Sequence, residues 1–248
     1  QWSDIHWGSD RQDPAAWKEA LARGLAQNPQ GYLFTGDNGD NGKGTGDFAE
    51  RVRGFWQLTL ETLPEKPLML TLGNSDFRHN YQTDPDNLEE TRRLYQQLLG
   101  SRYYLDELGN GLHPDHLGSI HWISLNTQIF SPKNRYTGAT AQAQRSLEWL
   151  SRTLREAPGP AALLLHIPPI YDLFSNALAW RPEWIRALRK VLDEHPGAVC
   201  MVGGHFHRNE IHGFSNETPL MVGSSLSRKY DYSPNWRMHR WELEIGRA

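Results

Sequence analysis

The chain has 248 residues, 38% hydrophobic and 22% charged, with 26 Lys+Arg against 29 Asp+Glu for a formal net charge of −3. That length suits one large domain or two small ones, with enough chain for a substantial core. The composition excludes a disordered or fibrous protein, the slight acidic excess speaks against a nucleic-acid-coating role, and no apolar run approaches the roughly 20 residues of a membrane-spanning helix.

In chain order, Ala15 to Ala26 carries helical periodicity through Trp17, Leu21 and Leu25, and Tyr32-Leu33-Phe34 reads as a short strand running into Thr35-Gly36-Asp37. A helix is expected over Phe48 to Leu63, then a buried strand over Pro67 to Leu72 ending at Gly73-Asn74. Leu88 to Leu99 is helical, Ile120 to Leu125 a strand, and Ala141 to Glu156 an amphipathic helix. Ala161 to Leu165 is an apolar strand that ends at His166. Pro182 to Glu194 opens with proline in its first turn, a good helix start. Ala198 to Val202 is a strand ending at Gly203-Gly204-His205, and Leu220 to Val222 and Met238 to Ile245 are further strands.

Strands alternating with helices predict a layered α/β architecture, and strand runs that are apolar throughout predict sheets covered on both faces. The informative residues are polar. Asp37, Asn74, His166 and His205 each follow an apolar strand, beside Gly or Pro. Ligands of open α/β sheets bind outside the carboxyl ends of the strands, so four such ends carrying ligand-type side chains point to one site.

Two further pairs belong with them. Asp4-Ile5-His6 and His205-Phe206-His207 each place two ligand types two residues apart, and in extended chain such positions point the same way. The set is two Asp, one Asn and four His from five segments, too many for one ion. Two ions sharing a carboxylate accommodate them, and mixed imidazole and carboxylate donors suit zinc, manganese, iron or cobalt better than magnesium or calcium. The single cysteine, Cys200, lies in an apolar run and reads as a buried, inert thiol.

Taken in order, Asp4-x-His6, Gly36-Asp37, Gly73-Asn74-x-Asp76, His166 and Gly204-His205-x-His207 resemble the motifs of calcineurin-like metallophosphoesterases. The resemblance spans nearly the whole chain and implies a single catalytic domain over 1–248, a four-layer α/β/β/α sandwich of two mixed sheets flanked by helices. Finer stretches, among them Gly73 to Asn80, His166-Ile167-Pro168-Pro169 and Gly204 to Glu210, are similar to the acid sphingomyelinase-like branch and the endopolyphosphatases. So are Ser224 to Ser227 and Asn235 to Met238. The resemblance implies one divalent ion (zinc first, then manganese or iron) on Asp4, His6, Asp37 and His207. It implies a second on Asp37, Asn74, His166 and His205, with Asp37 bridging. It further implies a water or hydroxide between the ions attacking phosphorus in line, with His205 among the groups that stabilise phosphoryl charge, and Asp76 orienting its neighbours from behind.

Two positions depart from the pattern. Ser75 stands where the family usually has a histidine that protonates the leaving oxygen, and Asn41 where the sphingomyelinase-like branch often has another histidine. General acid catalysis contributes about 10²–10⁴-fold, so a replacement is expected, and His79 is the nearest candidate. The expected activity is hydrolysis of a small phosphorylated substrate, a phosphodiester or a phosphoanhydride. A sphingomyelinase-like lipid phosphodiesterase and a non-catalytic metal-binding scaffold are the alternatives. Trp7 and Trp180 are expected to wall or cover the cleft, His113 and His116 to lie in a solvated loop, and Gly39 to Gly46 to form an active-site loop from which Lys43 reaches an anion. The start at Gln1 and the export of many relatives point to a periplasmic or secreted protein, with the cytoplasm left open.

Overall fold

The computed structural model describes residues 1–8, 14–41, 47–172, 177–215 and 218–223. The helices are α1 (Pro14–Leu25), α2 (Phe48–Thr62), α3 (Pro85–Leu99), α4 (Ala139–Glu156) and α5 (Pro182–Glu194). Local chemistry sets their starts. Asp47 accepts from the Ala49 amide while Glu50 returns a bond to the Asp47 amide, a reciprocal cap on α2. Asp84 caps α3 ahead of Pro85, and Pro182 opens α5. On α4 the buried stripe Ala139, Ala143, Leu147, Leu150 and Leu154 repeats at helical spacing and faces the sheet beneath.

The strands are β1 (Tyr32–Phe34), β2 (Leu68–Leu70), β3 (Gly111–Leu117), β4 (Ile120–Ser124), β5 (Ala161–Leu164), β6 (Tyr171–Asp172), β7 (Ala177–Leu178), β8 (Ala198–Gly203), β9 (Glu210–Ser215) and β10 (Thr218–Val222). β1 and β2 pair in parallel, and the residues around Trp2 lie alongside β1 through a parallel bridge to Phe34. The second sheet has the order β3-β4-β5-β8-β10-β9, parallel in its four central strands and antiparallel at both edges. β6 and β7 form a separate antiparallel pair.

Side-chain alternation shows how the layers stack. Leu33 and Met69 of the small sheet and Trp122, Ala162, Leu164, Cys200, Val202 and Met221 of the large one form a single buried cluster, the seam between two sheets. The residues of opposite parity face the helices. Tyr32, Phe34, Leu68 and Leu70 join Trp17, Phe55 and Trp56 of α1 and α2, while Ile123, Leu163, Met201 and Leu220 join the buried residues of α4 and α5. The result is the expected α/β/β/α sandwich. Cys200 lies in the seam, 2% exposed, and burial pushes its thiol up to about 12.

Two expectations need correction. Residues 111–117 form an edge strand, not a loop, and His113 is buried with Nε2 on the Leu68 carbonyl oxygen, bonded across to the small sheet. Trp180 covers nothing: it is fully buried, stacked on Phe130 at 4.3 Å, with its indole N–H donating to the Ile167 carbonyl. The Lys43 loop, Ser224 to Ser227, Asn235 to Met238 and the strand over Met238 to Ile245 lie outside the described residues.

Candidate metal centre

The strands deliver the ligand residues at their carboxyl ends. Asp37 follows β1, Asn74 follows β2, His166 follows β5, and His205 and His207 follow β8. Asp4 and His6 arrive along β1, where the amides of Asp4 and His6 donate to the carbonyls of Gly36 and Asp37. Because β1-β2 and β5-β8 belong to different sheets, the cluster sits where both sheets end.

The ends of β1 and β2 approach closely because glycines stand there. Gly36 has φ +90°, and a Cβ on it would lie 2.8 Å from Gly73 Cα and 2.8 Å from His166 Nδ1. The ligands themselves are bent in a way the sequence does not announce. Asp4, His6, Asp37, His205 and His207 all have φ between +49° and +72°, in the left-handed region. The paired ligands therefore do not share a direction through extended-chain alternation, as the sequence suggested. Each sits on a tight left-handed turn, a conformation that costs about 1–2 kcal/mol per residue and persists where surrounding structure enforces it.

Two groups of donor atoms result, Asp4-His6-His207 and Asp37-His166-His205, each compact enough to hold one ion. In the first, His207 Nε2 lies 3.3 Å from Asp4 Oδ1 and 3.3 Å from His6 Nε2. In the second, His166 Nε2 lies 3.3 Å from Asp37 Oδ1 and 3.2 Å from Asn74 Oδ1. Asp37 connects them: Oδ1 faces His166, while Oδ2 lies 3.6 Å from His6 Nε2. One carboxylate thus offers an oxygen to each group.

The donor chemistry fits cations. His166 Nδ1 lies 2.8 Å from the Thr35 carbonyl oxygen and donates to it, so Nε2 is the ring nitrogen turned towards two acceptor oxygens. Three acceptors meeting at one point require a proton or a metal ion between them. Burial pulls the His166 imidazole down, but the Asp37 carboxylate outweighs it and holds the ring up at about 9. His205 moves the other way: burial, then the neighbouring His166, lower it to about 3, keeping it as the neutral imidazole that ligates metal. Burial raises Asp4 and Asp37, yet His207 and His166 respectively more than reverse it, holding both carboxyls well below the usual range.

Asp76 has no opening towards this cluster. Its Oδ2 accepts from the amides of Asp37 and Gly73 at 2.8 Å each, and its Oδ1 from Asn38 at 2.9 Å, Gly39 at 3.1 Å and the Tyr95 hydroxyl at 2.6 Å. It fastens the loop that carries Asp37 to Gly73 and to Tyr95 of α3. Burial and then the Asp37 charge raise it to about 6, against those five donors. Ser75 is committed as well: its amide and hydroxyl donate to Asp37 Oδ1 and Oδ2 at 2.6 and 3.0 Å. Asn41 ties the same loops through Nδ2 to the Phe77 carbonyl at 2.7 Å.

His79 is not among the two donor groups. Its side chain is exposed, and its main chain is held by Asn87, whose Oδ1 accepts from the His79 amide and whose Nδ2 donates to the His79 carbonyl. Asn126 caps a 3-10 turn, His212 pairs with Glu210, and Trp7 packs against Phe55 of α2. Sequence reasoning missed Tyr81 and Lys133. The Tyr81 ring meets the His205 ring edge-on at 6.2 Å, and Lys133 Nζ stands 4.8 Å from the Tyr81 centroid.

Comparison with solved structures finds the same fold in several proteins of low sequence identity. A dimetal phosphatase from Danio rerio is similar with a TM-score of 0.63 and 14% identity, over 90% of this chain and 86% of that one. GAP50, the anchor in the inner membrane complex of Plasmodium, is similar with a TM-score of 0.56 and 15% identity, over 90% and 72%. A 5'-nucleotidase from Candida albicans is similar with a TM-score of 0.52 and 14% identity, over 84% of this chain and 40% of the nucleotidase. No curated protein matches the chain. With residues 1–209 matching the family description, and two ligand groups where that family uses a dinuclear metal centre, the chain belongs to the calcineurin-like phosphoesterases.

Proposed function

We propose that the chain is a dinuclear metal-dependent hydrolase of a phosphodiester or phosphoanhydride, with one ion on Asp4, His6, Asp37 and His207 and the other on Asp37, Asn74, His166 and His205. The observation that carries this reading is Asp37, whose two oxygens face two separate ligand groups. Zinc suits the histidine-rich donor set first, manganese or iron next. When bound, the ions supply Lewis-acid polarisation of phosphoryl oxygens and lower the pKa of a water from about 15.7 towards 7.

The chain's own residues set the rest. His166 is locked in one tautomer by Thr35, and Asn74 is turned by its Nδ2 contact with Ser75 Oγ at 3.3 Å so that its Oδ1 faces His166. Ser75 donates its proton to Asp37 and holds the bridging carboxylate in place, so it has no proton to give a leaving group. With Ser75 unable to serve as the acid, the reading favours leaving groups that depart without protonation, such as a phosphate or an activated alcohol. The sphingomyelinase-like branch is the finer placement by motif. The exposed cross-strand pair Tyr171 (44%) and Leu178 (37%) on β6 and β7 favours a lipid phosphodiester as the second reading.

The test is turnover by zinc- or manganese-loaded protein of bis-p-nitrophenyl phosphate, p-nitrophenyl phosphate, ATP, polyphosphate and sphingomyelin vesicles. The proposal predicts chelator-sensitive hydrolysis, fastest on anhydride or activated substrates. Fastest turnover of the vesicles would select the lipid reading. Stoichiometric metal binding with no turnover would leave a scaffold, the kind of role that the Plasmodium anchor's name gives it.

A further inference from the structure

Beside the ligand cluster, two loops distant in sequence are locked together. Gln82 Nε2 donates to the Lys133 carbonyl at 3.3 Å, and Gln82 Oε1 accepts from the Arg135 amide at 3.2 Å. Asn134 Nδ2 donates to Thr83 Oγ1 at 2.7 Å. Tyr81, just before this fastening and inside a turn closed by the Gln82 amide on the His79 carbonyl at 3.0 Å, has φ +63°, a left-handed conformation for a bulky residue. Among the described residues, the positive-φ non-glycine positions are five metal-ligand candidates, Asn28 after α1, and Tyr81. Strain of this kind collects at functional sites.

Tyr81 spends that conformation on contact with the cluster. Its ring is edge-on to His205 at 6.2 Å, and Lys133 lies over its face at 4.8 Å with Nζ 3.3 Å from the phenol oxygen. The Lys133 ammonium is exposed, and among the described residues no carboxylate pairs with it. The guanidinium groups of Arg78 and Arg208 are by contrast paired with Glu90 and Glu210. A positioned cation without a carboxylate, one ring away from a metal-ligating imidazole, is what a second anionic group on a substrate needs.

We propose that Lys133, carried on the face of Tyr81, binds the phosphoryl group next to the reacting phosphorus, so that the chain selects phosphoanhydrides over simple monoesters. The proposal rests on the reading of the ligand cluster as the place where phosphorus is attacked. In the hydrolysis, water oxygen forms the new bond to phosphorus, the bridging oxygen leaves with the bonding electrons on the neighbouring phosphoryl group, and the water proton passes to solvent or to that leaving phosphate. Lys133 balances the charge that gathers on the leaving phosphate, which supplies for an anhydride what Ser75 cannot supply as an acid.

The test compares wild type, Lys133→Met and Lys133→Arg, metal-loaded and with free metal in excess, on p-nitrophenyl phosphate and inorganic tripolyphosphate. Lys133→Met is expected to lose about tenfold in kcat/KM on tripolyphosphate, the size of one charge-assisted hydrogen bond. Most of that loss should recover in the arginine variant, with p-nitrophenyl phosphate turnover within about twofold throughout. Calorimetric titration of the metal-loaded protein with methylenediphosphonate, whose P–C–P bridge cannot be hydrolysed, gives a readout free of turnover, where Lys133→Met should weaken binding by a similar factor. Equal losses on both substrates, or unchanged methylenediphosphonate binding, would overturn the assignment. Failure of the wild type on every substrate would refute the hydrolase reading, and the titration would still decide whether Lys133 binds the anion.

Discussion

Replacing Asp76 with asparagine tests whether the site is built from behind. The carboxylate takes four backbone amides and the Tyr95 hydroxyl, tying residues 37–39 to Gly73 and α3. An amide group can accept at only one of the two positions. If its NH2 faces Asp37 and Gly73, two amides lose their acceptor. If it faces Asn38, Gly39 and Tyr95, the phenol can turn to accept and again two amides are orphaned. Each buried unsatisfied donor costs about 1–3 kcal/mol, so Asp76→Asn should lose roughly 2–6 kcal/mol. For a chain of this size that lowers Tm by about 5–20 °C. Tyr95→Phe removes one donor and leaves every amide satisfied, so it should cost about 1 kcal/mol. Differential scanning calorimetry on metal-free protein measures both, and calorimetric zinc titration at a permissive temperature should show weaker binding in Asp76→Asn. A variant melting within about 2 °C of wild type and holding zinc equally well would refute the positioning role.

Other expectations follow from single contacts. Gly36→Ala forces a Cβ against Gly73 and His166 at φ +90°, and should cost at least about 2 kcal/mol by thermal melting, with weakened metal binding. His166 has its pKa raised from 6.5 to about 9 in the fold, so its imidazolium pairing stabilises metal-free protein fully below about 6.5, and that contribution fades as pH rises through 9. A metal ion must displace that proton, so apparent zinc affinity should climb by up to about tenfold per pH unit between 6.5 and 9; a flat profile in calorimetry would contradict the assignment. His79→Ala should leave kcat/KM within about twofold on substrates with good and poor leaving groups alike, and a loss confined to the poor ones would restore His79 as the acid.

Asp37, Asn74, His166 and His205 were legible as candidate ligands because each follows an apolar strand with a glycine or proline nearby, and Asp4, His6 and His207 through their two-apart pairing and the family resemblance. The layered fold was legible for a related reason: strands apolar at every position need cover on both faces, and two sheets with helices outside provide it. Less visible was the backbone at Asp4, His6, His205 and His207, since left-handed turns at non-glycine residues leave no mark in composition. His113 was misread because a histidine between glycines and a proline resembles a solvated loop, whereas its imidazole satisfies a strand carbonyl between the sheets. Trp180 was misread because its neighbours Ala179 and Arg181-Pro182 carry no sign of where the ring packs, while its indole stacks on Phe130 from another segment. Tyr81 and Lys133 meet only through two loops brought together by Gln82 and Thr83, a juxtaposition that no local pattern encodes.

The central claim is that Asp37 joins two metal sites. Equilibrium dialysis against zinc, with metal counted per folded chain, tests it most directly on wild type, His207→Ala and Asp37→Ala. The account predicts two ions on wild type, one tightly held ion on His207→Ala, and loss of affinity at both sites on Asp37→Ala, with circular dichroism confirming that each variant is folded. A wild type that binds a single ion, or an Asp37→Ala chain that holds two as tightly as wild type, would contradict it.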